Sequence, residues 1–165
     1  MKAFCLTTII AVFLFFCTNG IKTQTTQIKL NQSELIKQFL GTWQHSSGKD
    51  SIEVWEVQQY KNAFVTYLYL IINDKKSFTF AEDWGYSSRD DNFKGYVLYP
   101  SGNYETWIGS FTSENIFNGA FVKDFNHDIV IQKFYLKIEN PTCFTSVYLN
   151  KDGVITGEFK FCKVK

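Results

Sequence analysis

Proline is almost missing from this chain, with two residues in 165, and the groups that most often carry chemistry are nearly as scarce: two histidines, one methionine and a single arginine, Arg89. Each shortage excludes something. Few prolines leave long stretches free to pair in a β-sheet, since proline removes a ladder donor. One guanidinium cannot supply the repeated forks that recognise backbone phosphate. Charge of one sign does not accumulate either: no run exceeds two residues, and Asp90-Asp91 and the basic pair Lys75-Lys76 both fall in polar connections. Nucleic acid is therefore not an expected partner. There is no His-x-x-x-His, no Cys-x-x-Cys, no glycine-rich phosphate loop and no nucleophile elbow. No metal, cofactor or catalytic residue is assigned on sequence grounds.

Only one long apolar run is present. It follows Lys2, extends from Ala3 to Cys17, and is shorter than the roughly 20 residues needed to cross a bilayer. Residues 1–20 read as a secretory signal peptide, with Thr18 and Gly20 as the small side chains before a cut after Gly20. An uncleaved anchor is one alternative. A lipid anchor on Cys17 is another, and the bulk of Phe16 argues against it. No membrane span is expected after cleavage, so the expected location is secreted or periplasmic. Removal of this segment takes away Lys2 and no acid, which lowers the basic count from 17 to 16 against 16 acidic residues and leaves no net charge.

Thr23 to Gln27 is polar, and residues 21–30 read as a flexible N-terminal segment ahead of one domain over 31–165. The domain opens with a helix in "LNQSELIKQFLG". Asn31 is placed to cap it, Glu34 to reach back as a capping box, and Leu30 to touch Leu35 as a hydrophobic staple. Leu35, Ile36, Phe39 and Leu40 form a narrow apolar stripe, and Gly41 is the expected stop. Asn31-Gln32-Ser33 also fits an N-glycosylation pattern, although capping explains the Asn without it.

Past Gly41 the helical period disappears. Candidate strands cover 42–45, 51–58, 63–72, 77–84, 93–99, 104–111, 115–122, 129–138, 142–150 and 154–163, separated by turn chemistry such as "NDKK", "PSGN" and "DFNHD". Eight to ten antiparallel strands joined by hairpin-length connections predict an all-β, up-and-down barrel with one short N-terminal helix. A β-sandwich is the alternative, and it would need at least one long crossing connection.

The export signal implies an oxidising compartment, in which only Cys143 and Cys162 remain. They flank the hairpin signal Asp152-Gly153, which suits a two-residue type I′ turn. Setting Lys151 opposite Val154 brings the two cysteines face to face. Counting from that turn puts them at a hydrogen-bonded position, where the Cα atoms are farther apart, so a disulfide and two free thiols both stay open. The same register places Phe144, Ser146, Tyr148, Ile155, Gly157, Phe159 and Phe161 on one face. Thr145, Val147, Thr156, Glu158, Lys160 and both cysteines fall on the other.

A short helix, then Gly41-Thr42-Trp43 entering the first strand, then a meander of strands resembles the lipocalin end of the calycin superfamily. "WGYS" at 84–87 and "YPSGNYETWIGSF" at 99–111 are similar to tracts of uncharacterised bacterial lipocalin-like domains, and the likeness spans most of the chain after residue 20. The resemblance implies that Gly41 and Trp43 are a structural motif, with Trp43 plugging the closed base of the barrel. That family usually stacks an Arg over this Trp near the last strand. Here only Lys160, Lys163 and Lys165 occupy the region, and no Thr-Asp-Tyr-like loop is present.

A barrel of this size with aromatic walls is expected to bind a small hydrophobic or amphipathic molecule non-covalently. Trp55, Tyr67, Tyr69, Tyr96, Trp107, Phe134, Tyr148 and Phe159 are the candidate lining residues. A filled barrel acting as a secreted or envelope-associated interaction protein is the alternative. A haem protein with His127 as axial ligand, or an enzyme recruiting Asp83, Tyr86 and Glu105, ranks below both.

Overall fold

The computed structural model describes residues 29–164. The expected signal peptide, its expected cut after Gly20, Cys17 and residues 21–28 of the expected N-terminal segment lie outside the described residues.

Ten strands form one closed antiparallel barrel in which each strand pairs with its neighbours in sequence, and the last pairs with the first. They are β1 (Gly41–Gly48), β2 (Ser51–Tyr60), β3 (Ala63–Ile72), β4 (Lys75–Ser87), β5 (Asn92–Leu98), β6 (Tyr104–Ser113), β7 (Ile116–Lys123), β8 (Asn126–Asn140), β9 (Cys143–Leu149) and β10 (Ile155–Lys163). All ten coincide with candidate strands from the sequence. Closure is brief: β1 meets β10 at Trp43–Lys163 and Gln44–Cys162. Closure joins the two terminal strands and so reduces the sheet edge open to pairing with a second chain.

The helix is shorter than expected. One turn of α-helix, α1 (Gln32–Leu35), tightens into a 3₁₀ turn over Ile36–Phe39. Asn31 caps it, its Oδ1 accepting from Glu34 N at 3.3 Å, whereas Glu34 turns outward to take Lys37 Nζ at 2.7 Å. The tight last turn drives Ile36 and Phe39 together into the barrel, where both are buried. Gly41 then reverses the chain with φ +119°, a conformation that side chains disfavour.

Gln32 anchors this segment. Its Nε2 donates to Phe111 O at 2.9 Å and its Oε1 accepts from Phe111 N at 2.7 Å. Phe111 lies past the last β5 partner of β6, since that pairing stops at Phe93–Gly109. The Gln32 amide therefore does for Phe111 what a neighbouring strand would have done.

The β9–β10 turn differs from the expected type I′. Gly153 N donates to Asn150 O at 3.1 Å and Asn150 N to Val154 O at 2.9 Å, and only Gly153 has a positive φ, +79°. The closing pair is thus Asn150–Val154, one residue removed from Lys151–Val154. A bulge between Ile155 and Gly157 restores the expected register farther along, so Cys162 still faces Cys143. Two consequences follow. Ile155 sits outward, 54 % exposed, rather than with Phe159 and Phe161. The cysteines occupy a non-hydrogen-bonded site, because Lys163 N donates to Thr142 O in the next pair, and their Cα atoms are 4.1 Å apart with a disulfide between them.

Candidate functional site

The interior follows from strand period. Even positions on β3 and β4 (Phe64, Thr66, Leu68; Phe80, Glu82, Trp84) and odd positions on β5 to β7 point inward, as do Phe144, Ser146 and Tyr148 of β9. They enclose a cavity of about 440 Å³. This is within the usual size range of small-molecule sites.

The floor is aromatic. Phe39 lies 5.3 Å from Phe144 and 6.1 Å from both Trp55 and Phe111, ring centre to ring centre. Trp43 is one layer lower: it stands 4.9 Å from Phe144, donates from Nε1 to Phe39 O at 2.7 Å, is 2 % exposed and does not line the cavity. Lys163 Nζ stands 4.7 Å from the centre of the Trp43 ring. A lysine thus covers the tryptophan face as a point charge.

The upper tier is acidic. Register pairs Glu82 of β4 with Val97 of β5, and Val97 with Glu105 of β6, so the two carboxylates share one inward row, two strands apart and one position below the start of β6. Glu53, the third residue of β2, also lines this end. Among the described residues no lysine, arginine or histidine lines the cavity. His45, the register partner of Glu53, instead packs on Phe159 and Phe161 with Nδ1 3.0 Å from Lys160 O.

Glu82 is 9 % exposed and takes a hydrogen bond from Trp107 Nε1. The indole can reach it because Gly95 separates Trp84 and Trp107 in the row below: a Cβ on Gly95 would fall 2.1 Å from Trp107 Cε2. Burial pushes the Glu82 carboxyl from 4.5 up to about 7; the Trp107 hydrogen bond opposes the rise and the neighbouring Asp83 adds to it. Tyr99 donates to Glu105 Oε2 at 2.7 Å, and burial followed by that bond raises its phenol. Burial also raises Tyr148, against the pull of Ser146, with the charges of Glu82, Glu53 and Glu105 adding to the effect.

Of the eight lining residues expected from sequence, Trp55, Trp107, Phe134, Tyr148 and Phe159 do line the cavity. Tyr67, Tyr69 and Tyr96 do not, which corrects that expectation. Tyr67 and Tyr69 alternate with the inward Thr66 and Leu68, and Tyr69 lies 5.9 Å from Phe78, with Lys76 Nζ 3.5 Å from its ring centre. Tyr96 alternates with Val97 and stacks on Tyr104 outside the barrel at 5.2 Å. Asp83 is exposed on the outer face and the Tyr86 hydroxyl donates to Asp91, so neither joins Glu105. His127 is exposed beside Asp128 and does not reach the cavity.

Sequence reasoning missed Glu82, although "FTFAEDWGYS" carries the signal: Phe80, Trp84 and Tyr86 alternate and place Glu82 on their face. It also missed Glu53, Trp84 and Tyr99. Among the described residues no group of three potential metal ligands exists. No protein-family model matches the chain, and no curated protein matches it.

Proposed function

We propose that this protein binds a small apolar or amphipathic molecule non-covalently inside its barrel. The observation that carries the reading is the cavity inside the barrel, about 440 Å³ walled by Trp55, Trp84, Trp107, Phe134 and Phe159. A barrel meant only as a scaffold has no use for such a void, because unfilled apolar volume costs stability. The helix-plugged floor, with Trp43 beneath it, supports kinship with lipocalin-like carriers. The Cys143–Cys162 disulfide supports a secreted or periplasmic location.

The test is a fluorescence titration with N-phenyl-1-naphthylamine, an uncharged apolar probe. Saturable binding of one equivalent is expected, and Ser146→Phe, which fills space on the cavity wall, abolishes it while the barrel still folds. A probe that binds wild type and Ser146→Phe alike lies outside the cavity and removes the support for this reading.

A second reading, a protein that acts through its surface, draws on the apolar rim at the end opposite the helix, where Ile72, Leu98, Tyr104, Val154 and Ile155 are exposed. It is favoured if protein from its natural source is empty and accompanied by a partner subunit.

A further inference from the structure

Three carboxylates line one cavity, and among the described residues no lysine, arginine or histidine lines it with them, His45 standing beside Glu53 in the β1–β2 ladder. Burying a carboxylate costs folding energy, since its charge loses water, and Glu82 is the most buried of the three. The structure partners these groups only in part. Glu82 accepts from Trp107 Nε1 through Oε1, and among the described residues no donor reaches Oε2. Glu105 takes the Tyr99 hydroxyl on Oε2. Both donors are neutral, and among the described residues no lysine or arginine lines the cavity to balance the negative charge.

The carboxylates are also sorted by depth. Glu53 and Glu105 lie near the strand ends away from the helix and Glu82, in mid-strand on β4, shares the Glu105 row, while the rings of Phe39, Phe111 and Phe144 form the opposite end. Trp107 and Tyr148 line the same cavity, and aromatic rings attract cations as well as apolar groups. The site is therefore polarised along the barrel axis, anionic above and apolar below.

We propose that the ligand carries a cationic nitrogen, an ammonium on an aromatic or aliphatic body, held by Glu82 with Glu53 and Glu105 around it and with its apolar body directed at Phe39 and Phe144. The inference rests on the binding function proposed above. An ammonium supplies the donor that Glu82 Oε2 lacks and the charge that the wall does not contain, whereas a fatty acid would add a fourth carboxylate to the tier.

Binding is also proton-linked. Without ligand, burial holds Glu82 partly protonated near neutral pH beside Asp83, in a cavity also lined by Glu53 from β2, Tyr99 and Glu105 at the β5–β6 end and Tyr148 from β9, with His45 opposite Glu53 across the β1–β2 ladder. A bound ammonium favours the ionised carboxylate, so binding releases a proton and tightens as pH rises through about 7.

The test is calorimetric titration with three matched probes: 1-naphthylmethylammonium, 1-naphthylmethanol and 1-naphthoate. The ammonium is expected to bind about tenfold or more tightly than the alcohol, as one charge-assisted contact commands, with naphthoate weakest. Titration near pH 7 in two buffers of different ionisation enthalpy should show proton release with the ammonium and none with the alcohol. Glu82→Gln keeps an oxygen for the Trp107 indole and should narrow the ammonium-to-alcohol ratio to about threefold or less. Glu105→Gln, as a second variant, should narrow it partly. Equal affinity for ammonium and alcohol, or a preference for naphthoate, overturns the cationic ligand and leaves the carrier function standing. Failure of all three probes to bind removes both.

Discussion

Trp107 donates its indole N–H to Glu82 across Gly95, so a buried acid, an aromatic wall and a missing side chain form one unit spanning β4, β5 and β6. Gly95 is required there for space, since its Cβ would coincide with the Trp107 ring. Gly95→Ala is therefore expected to displace the indole, break its bond to Glu82 and destabilise the barrel by about 1–3 kcal/mol, as overpacking does. Urea denaturation measures the loss, and a changed tryptophan emission spectrum reports the moved ring.

Glu82 makes stability depend on pH with a definite sign. Its folded value, about 7, lies above the ordinary 4.5, so the folded state binds the proton more tightly than the unfolded one. The stabilisation is fully present below 4.5, declines as pH rises, and is lost above about 7, for a total of about 3 kcal/mol. Glu82→Gln removes this decline. Thermal melts of both proteins from pH 4 to pH 8.5 should diverge with rising pH, the variant being the more stable at the alkaline end.

The disulfide joins β9 to β10 immediately beside the seam, because Cys162 pairs with Cys143 on one side and with Gln44 of β1 on the other. Cys143→Ser with Cys162→Ser should lower stability by about 3 kcal/mol, the loop-closure value for cysteines this far apart. Amide exchange should show the β1–β10 bonds losing protection first. Equal protection loss around the whole barrel would contradict a seam held by this bridge.

Under the floor, Trp43 combines full burial, an edge contact with Phe144 and a hydrogen bond to Phe39 O. Trp43→Ala should cost about 3–5 kcal/mol. Lys163→Ala, which takes away only the cation over the ring, should cost about 1 kcal/mol or less. A larger loss from the lysine change would mean that it carries more of the closure than its contact with the ring indicates.

The strands were legible because their turn chemistry is strong and their faces alternate, as in "FTFAEDWGYS". Side assignment failed where alternation fails. "FVTYLYLII" is apolar on both faces, so nothing local says that Thr66 and Leu68 point inward while Tyr67 and Tyr69 stack outside with Phe78 and Lys76. The β9–β10 turn was misread because Asn150 competes with the Asp152-Gly153 pair: its Oδ1 takes both Asp152 N at 3.0 Å and Val154 N at 2.9 Å, which starts the turn one residue early. The later bulge cancelled that error for the cysteines and not for Ile155. Inward glycines such as Gly95 and Gly119 could be seen in the sequence, but the rings that cover them, Trp107 and Phe134, come from the next strand. Depth in the barrel likewise depends on register across several strands, which is why the acidic tier was not anticipated.

Native mass spectrometry of the protein purified from its natural source, without a denaturing step, tests the binding function most directly. The expected result is a small molecule retained at one equivalent, released on unfolding and absent from Ser146→Phe prepared in the same way. Protein that is consistently empty, with wild type and Ser146→Phe indistinguishable in mass after allowance for the substitution, would contradict a carrier and leave the cavity without a use.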